Sequence, residues 1–217
     1  MAVPKKIKGR RRGRGGRGWK LLLIALAVLA VAVAAGMQVM SVKKKGEVAG
    51  AAEAYMNGVS CGDFSIVFNY HGPSQRRKLM LMQRSGDDVE ARLEELFNER
   101  EASFREAEPG EDLSGEWSEK ALFVDAGEFR VLGVEMVEDI DNPSQPLRDR
   151  QNAIVTVEAV YHDEEGAPDL GGKIKKAVFN VKMVHSSNVA RTLRGEVPFS
   201  RWLFQSVSME EGTVERW

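Results

Sequence analysis

The sequence predicts an α+β protein in which one N-terminal transmembrane helix precedes helices packed on a curved antiparallel sheet. Three observations predict this class. A run of 17 residues without a polar side chain begins at Leu21, and helical spacing of apolar residues dominates from Glu47 to Ala107. After Gly115 apolar residues recur at every second position, which is typical of strands. Because these strands follow one another without intervening helices, we expect an antiparallel meander.

The composition and the charge distribution exclude several classes of protein. With 43% hydrophobic and 29% charged residues, the chain is too apolar to be fully disordered and too charged to be a polytopic membrane protein. A single cysteine excludes an internal disulfide framework and a cysteine-rich zinc site. The net charge of −1 conceals an asymmetry, since the first twenty residues carry nine basic side chains and all 32 acids lie after Lys45.

The apolar segment Leu21–Val42 is long enough to cross a membrane as a helix. Its 22 residues span about 33 Å at 1.5 Å per residue, against a hydrocarbon core of roughly 30 Å. An interfacial aromatic residue and basic residues at both ends are typical of membrane helices. The residues that we predict to anchor and orient the chain are Arg10, Arg11, Arg12, Arg14, Arg17, Trp19, Lys20, Lys43, Lys44 and Lys45.

The basic residues also predict the orientation of this helix. Nine precede it and three follow it, so we expect the N-terminus in the cytoplasm and the C-terminal domain outside the cytoplasmic (inner) membrane. A cleaved signal peptide, with small residues near Ala34–Gly36, is the alternative. The length of the apolar run and the lysines that stop it favour a retained single-pass anchor.

The chain is therefore expected to comprise four segments. They are a basic Arg/Gly-rich cytoplasmic tail (1–20), a transmembrane helix (21–42), a juxtamembrane linker (43–50) and an extracytoplasmic α+β domain (51–217). The tail would attract phosphate groups, either of a nucleic acid or of anionic lipid. Because it directly precedes the membrane helix and has no aromatic residue before Trp19, we favour lipid over nucleic acid.

Apolar stripes and capping residues predict the helices of the outer domain. One stripe runs from Val48 to Val59, and Asp63 is expected to cap a second helix that carries Phe64 and Phe68. The other signals are a stop at Gly72-Pro73, a helix or strand over Gln75–Arg84, and a long helix from Asp87 or Asp88 to about Ala107.

Alternating apolar residues predict five strands after Gly115, separated by turn residues such as Asp141-Asn142-Pro143. A domain of this length buries enough apolar surface to fold without disulfides. The predicted strands are Trp117–Val124, Glu128–Ile140, Asn152–His162, Lys173–Ser186 and Phe199–Met209.

Two segments of the outer domain resemble a known superfamily. Ala51–Tyr70 resembles the opening helices of the nuclear transport factor 2-like (cystatin-like, α+β cone) superfamily, and Arg201–Val207 resembles its closing strand. Bacterial members often follow one N-terminal membrane helix, and they include Mce-associated proteins and the inner-membrane assembly factor of type IV secretion systems. The resemblance implies helices packed on a strongly bent sheet. None of the superfamily's functional residues matches closely enough to be assigned here.

Residues with chemically active side chains form no recognisable site in the sequence. His71, His162 and His185 lack the spacing of metal ligands, and we expect the last two at the surface. Cys61 has no histidine near it in the sequence and is expected to be a small buried residue. We therefore predict no catalytic residue, no cofactor and no metal site.

Three functions remain compatible with these features. A membrane-held binding or assembly module of the bacterial cell envelope is favoured, with membrane lipid and either an envelope protein or a second copy of the chain as partners. An enzyme of the ketosteroid isomerase type would need a carboxylate base and an acidic donor, but no spacing brings Tyr55, Asp63 and Asp125 together. Alternatively, the cone holds a lipid or small hydrophobic ligand in a pocket lined by Tyr55, Phe64, Phe68, Phe179 and Trp202.

Overall fold

The computed structural model describes residues 16–83, 88–107, 116–138, 151–186 and 201–217. The chain forms two compact units, Met1–Lys43 and Lys44–Trp217. The predicted orienting residues Arg10, Arg11, Arg12 and Arg14 lie outside the described residues.

Helices account for nearly all described residues up to Glu106, and one further helical turn precedes the sheet. Residues 43–50, which we expected to be a linker, are helical and continue the first helix without a break. The helices found in the described residues are α1 (Gly16–Ser60), α2 (Phe64–Tyr70), α3 (Gly72–Gln83), α4 (Val89–Glu106) and α5 (Lys120–Phe123).

In the first unit, α1 carries the predicted apolar segment. Its described large apolar side chains from Leu23 to Val42 are exposed, and Val31 and Val39 are each 69% exposed. Within the described part of the chain, α1 is the one helix long and apolar enough to cross a membrane, by length and composition. A single membrane-competent helix near the N-terminus is thus present, as predicted.

In the second unit, the remaining part of α1 packs one face into a core. The predicted stripe from Val48 to Val59 is buried, while Glu53 and Asn57 are exposed on the other side. Gly58 allows the next helix to approach, because a Cβ there would lie 2.9 Å from Ile66 Cγ2. The predicted cap is confirmed: Asp63 accepts hydrogen bonds from the backbone of Ser65 and Ile66, at 3.0 and 3.3 Å.

The strands form a curved, open antiparallel sheet in the order β1-β2-β3-β4. A short β5 pairs with β3, and register shifts interrupt β1 near Val131 and β4 opposite Lys182. This sheet, with helices packed on it, confirms the predicted α+β class. The strands are β1 (Ala126–Glu138), β2 (Gln151–Tyr161), β3 (Ile174–His185), β4 (Trp202–Met209) and β5 (Glu215–Arg216).

The core of the second unit lies between one face of the sheet and the helices. Alternate residues of the two central strands are buried, such as Val155 and Val157 on β2 and Phe179 and Val181 on β3. They join the buried stripe of α1 and the rings of α2 in one hydrophobic cluster. The apolar residues that recur at every second position, and that predicted these strands, therefore lie on the face of the sheet that the helices cover.

One of the next two local predictions is confirmed and the other is wrong. The predicted stop at Gly72-Pro73 is confirmed, because α2 ends at Tyr70; the same two residues then begin α3, where the missing N–H of Pro73 costs no hydrogen bond. The predicted strand Trp117–Val124 is instead a turn followed by the single turn of α5. Trp117 and Asp125 adopt positive φ values of 71° and 63°, which are incompatible with an extended strand.

Candidate functional site

Seven side chains of the second unit form a largely buried polar group beneath the helices, here called the polar cluster. It joins α1, the end of α2, the first turn of α3, the middle of α4 and the turn that precedes α5. The chain at Gly72 approaches β4 so closely that a Cβ there would lie 2.5 Å from the Phe204 carbonyl oxygen, which fixes the neighbouring histidine. The members are Tyr55, His71, Ser74, Arg100, Glu116, Trp117 and Glu119.

Arg100 is the centre of the polar cluster and is only 2% exposed. Its Nε donates to Ser74 Oγ at 3.2 Å, and its Nη1 lies 2.7 Å from Glu116 Oε2. The guanidinium carbon also lies 4.5 Å from the centroid of the Trp117 ring. A buried guanidinium is tolerated only when it is paired and hydrogen-bonded, so these contacts neutralise an otherwise costly charge.

His71 contacts the same indole. Its ring stacks on Trp117 with 4.1 Å between centroids, and its Nδ1 lies 2.8 Å from Ser74 Oγ. Burial, followed by the positive charges of Arg100 and Arg77, lowers the pKa of His71 to about 3. The imidazole is therefore neutral at physiological pH.

Glu119 is a buried carboxylate, which is the kind of group that an acid–base site requires. Burial raises the pKa of Glu119 above its ordinary value, although the hydrogen bond donated by the Tyr55 hydroxyl opposes this shift. The Tyr55 ring stacks on Phe204 at 4.2 Å. The carboxylate is thus held by a donor that is itself fixed in the core.

Trp117 links the two halves of the polar cluster. Its backbone is in the left-handed region, where a bulky residue is strained. Besides the histidine and the guanidinium on its ring, its Nε1 donates to Ser103 Oγ at 3.1 Å. These contacts support a structural role for the polar cluster, in which it holds the turn 116–119 against α3 and α4.

A groove of about 400 Å³ lies between α3 and α4, one turn beyond the polar cluster. Ser74 bonds Arg100, and Arg77 pairs with Glu99 at 3.5 Å, so the two helices run antiparallel as a hairpin. The α3 wall consists of Arg77, Met80 and Leu81, and the α4 wall consists of Arg92, Glu95, Leu96 and Glu99. The groove therefore has an apolar floor and a charged rim.

The two helices of this hairpin carry opposite charge. The sequence of α3 contains three basic residues and no acid, whereas α4 contains six glutamates against three arginines. One of those arginines, Arg100, is buried and paired. The exposed surface of the hairpin is consequently basic along α3 and acidic along α4.

A second cavity of about 440 Å³ lies beside the turn between β2 and β3. Asp125, Glu165 and Asp169 contribute acids to it, and Lys173 contributes a cation. The Lys173 Nζ already donates to the carbonyls of Glu165 and Ala167, at 3.1 and 2.8 Å. The Lys173 ammonium therefore stabilises the turn between β2 and β3 through these two hydrogen bonds.

The five predicted pocket residues are all buried in the core of the second unit: Tyr55, Phe64, Phe68, Phe179 and Trp202. Only Phe64 and Phe68 contact each other as rings, at 5.8 Å. Phe179 contacts Phe123, and Trp202 contacts His185. None of the five lines either of the two cavities described above.

The other residues singled out in the sequence are dispersed. Cys61 is exposed, contrary to the expected burial, because it lies in the turn just after α1 ends. His162 is exposed, as predicted, and His185 is half-buried. The Asp63 carboxylate caps α2, and Asp125 lies in the turn before β1 and borders the second cavity. Among the described residues no group of three or more His, Cys, Asp or Glu side chains is placed to hold a metal ion.

Sequence reasoning missed the roles of His71, Arg100 and Glu119. Arg100 occupies the buried side of α4, four residues after Leu96 and four before Phe104, and this spacing was the available signal. Glu119 carries no such signal, because it lies in a turn and its partner Tyr55 is 64 positions away.

No protein-family model matches this chain, and neither a curated protein nor a solved structure matches it. The resemblance to the nuclear transport factor 2-like superfamily thus stays a prediction from the two segments that suggested it.

Proposed function

We propose that this protein is a single-pass, membrane-anchored binding or assembly module of the bacterial cell envelope, without catalytic activity of its own. The observation that carries the proposal is the first part of α1, whose described apolar side chains are exposed from Leu23 to Val42. A segment of 20 largely apolar residues exposed to water would be strongly unfavourable, whereas in lipid the helix satisfies every backbone group internally.

The charge distribution supports an orientation with the N-terminus in the cytoplasm. Nine basic residues precede the apolar segment, and Lys43, Lys44 and Lys45 follow it. The second unit would then lie outside the cytoplasm, where its excess of acids keeps it soluble and repels the anionic membrane surface.

The interior of the second unit supports binding at its surface over chemistry within it. The polar cluster uses its charged groups on one another, as in the Arg100–Glu116 pair at 2.7 Å and the Tyr55–Glu119 hydrogen bond. Neither described cavity is lined by a member of this cluster. The charged hairpin of α3 and α4, in contrast, is accessible to a partner.

Buried Glu119 is the feature that favours an enzyme as a second candidate, since its raised pKa suits a general base. A ligand-binding cone, the third candidate, would need the core aromatic residues around an open space. Under our proposal, Glu119→Gln preserves the ability to accept from Tyr55 and leaves partner binding intact. An unchanged set of co-purifying proteins with E119Q would support the binding module. Ketosteroid isomerisation by the unmodified chain that E119Q abolishes without unfolding the second unit would favour a catalytic role.

The anchor and its orientation are tested with a topology reporter fused after Trp217. We expect the full-length protein to resist alkaline extraction from membranes and the reporter to be active outside the cytoplasm. Replacing Arg10, Arg11, Arg12 and Arg14 with Ser should lower the yield of correctly oriented protein. A mature chain that begins near Gly36, or a reporter that is sealed inside intact cells, would contradict the proposal.

A further inference from the structure

The outer face of the α3–α4 hairpin combines exposed apolar side chains with a sharp division of charge. Met80 is 39% exposed on α3 and lines the groove with Leu81. Flexible methionine side chains are common on surfaces that accept another helix. The Arg100–Ser74 hydrogen bond of the polar cluster joins the two helices at one end of the groove.

The charges on the two walls of this groove define what fits it. On the α3 wall Arg77 is exposed, and exposed Arg76 lies next to it in the chain. On the α4 wall the exposed Glu95 and Glu99 outnumber the exposed Arg92. A complementary surface must therefore be acidic opposite α3 and basic opposite α4, with apolar groups between them. A second copy of the hairpin meets this requirement when its acidic α4 faces α3 of the first copy and its basic α3 faces α4.

We propose that two copies of this chain associate through their α3–α4 hairpins, with α3 of one copy facing α4 of the other. This inference rests on the proposed function, since it names the partner of the binding module. A two-fold axis parallel to the helices places the basic α3 wall against the acidic α4 wall twice, once on each side. The two apolar floors then meet in the middle and form a four-helix arrangement.

Charge also excludes the other face-to-face arrangement of the same two surfaces. A two-fold axis across the helices would place α3 against α3 and α4 against α4, so like charges would oppose each other. The pair Arg77–Glu99 within one copy is 49% and 64% exposed and weak, so both side chains are free to exchange partners across the interface.

Two charge-reversal variants of the full-length protein test the arrangement. Arg76→Glu with Arg77→Glu makes the α3 wall acidic, and Glu95→Lys with Glu99→Lys makes the α4 wall basic. In detergent micelles at low salt we expect the unmodified chain to sediment as a dimer and each variant to associate at least about tenfold more weakly. An equimolar mixture of the variants should recover dimers that contain one copy of each, because every reversed wall then meets an unlike wall.

The matched control reverses two exposed lysines of β3, Lys175→Glu with Lys182→Glu, and should leave the dimer unchanged. Circular dichroism of all variants checks that the second unit remains folded. A monomeric unmodified chain, unaffected dimers in both hairpin variants, or a mixture that stays monomeric would each overturn the inference.

A photo-reactive residue at position 80 in intact membranes separates this inference from the proposed function. A cross-linked product of twice the chain's mass supports the dimer. A product with a different envelope protein overturns the dimer but leaves the binding module standing. Recovery of the chain in the soluble fraction, in contrast, contradicts the anchored module itself.

Discussion

Segments 23–42 and 48–59 belong to the same helix, yet their apolar side chains have opposite surroundings. In the first, the described apolar residues are exposed on all sides of α1, as Leu29 at 60% exposure illustrates. In the second, apolar residues such as Val48 and Tyr55 follow one stripe and are completely buried, while Glu53 faces solvent. The two segments teach that helical backbone alone says nothing about what covers a side chain.

Composition decides the difference between the segments. A helix that is apolar all round has no side left for water and needs an apolar medium, whereas a helix with one apolar stripe needs only one packed neighbour. We propose lipid as the medium for the first segment. For the second, the neighbours are α2 and the sheet.

Charges in the first segment should produce the largest effect. Val28→Arg with Val31→Arg is expected to cost about 6 kcal/mol of membrane insertion, since each arginine near the centre costs about 3 kcal/mol. Fractionation should show the protein lost from the membrane pellet, while fluorescence of the buried tryptophans still reports a folded second unit. Retention equal to that of the unmodified chain would mean that this segment does not cross the bilayer.

Truncating a side chain in segment 48–59 should have the opposite effect: it should destabilise the second unit and leave membrane retention unchanged. Tyr55→Ala removes a ring stacked on Phe204 and leaves the Glu119 carboxylate without its donor, so we expect the free energy of unfolding to fall by about 4 kcal/mol. Urea denaturation measures this loss, and membrane retention should not change. Tyr55→Phe keeps the ring and should lose only about half as much. A loss below about 1 kcal/mol for Tyr55→Ala would contradict the role of the buried stripe.

The polar cluster beneath the second segment predicts a dependence of stability on pH. The folded pKa of His71 is about 3 against an ordinary value of 6.5, so the unfolded chain binds the proton first as the pH falls. The stability linked to His71 is therefore complete above pH 6.5 and is lost progressively towards pH 3. Between pH 6.5 and 5 the unmodified chain should lose about 2 kcal/mol more than the His71→Asn variant.

Urea titrations of both proteins at several pH values measure that difference. Glu119 has a raised pKa and acts in the opposite direction, but it is present in both proteins. Equal slopes for the two proteins would show that the histidine does not remain neutral in the fold.

The smallest effect is expected from shortening an exposed side chain of the first segment. Leu29→Ala should change the free energy of unfolding of the second unit by less than about 0.5 kcal/mol, because its side chain is 60% exposed. Val48→Ala is the matched change in the buried stripe and should cost about 1.5 kcal/mol. Similar values for the two variants would remove the distinction between the segments.

Much of the fold was predictable because its signals are local. The stripe from Val48 to Val59, the cap at Asp63 and the alternation along β2 and β3 all depend on neighbours within a few residues. The prediction failed at 117–124, where alternating residues resembled a strand. There the turn is fixed by contacts of Trp117 with His71 and Arg100, which are distant in the sequence.

The candidate site was less predictable for the same reason. The apolar face of α3 is ambiguous in the sequence, since Leu79, Met80, Leu81 and Met82 are apolar on all sides. Only the pairing with α4 shows that Leu79 is buried while Met80 borders the groove. The opposite charges of α3 and α4 can be counted in the sequence. That these charges lie on facing walls of one groove is shown only by the structure.

The sequence by itself determined the membrane-competent helix, the basic N-terminal side, helices α2 and α4 and strands β1 to β4, because each depends on composition or on a short period. The tertiary structure alone decided that Arg100, Glu116 and Glu119 share one interior with Tyr55 and His71. Those contacts join residues up to 64 positions apart, and no local pattern encodes them. Desolvation then changes the chemistry of these groups, since the charge that a buried side chain carries depends on its neighbours in space.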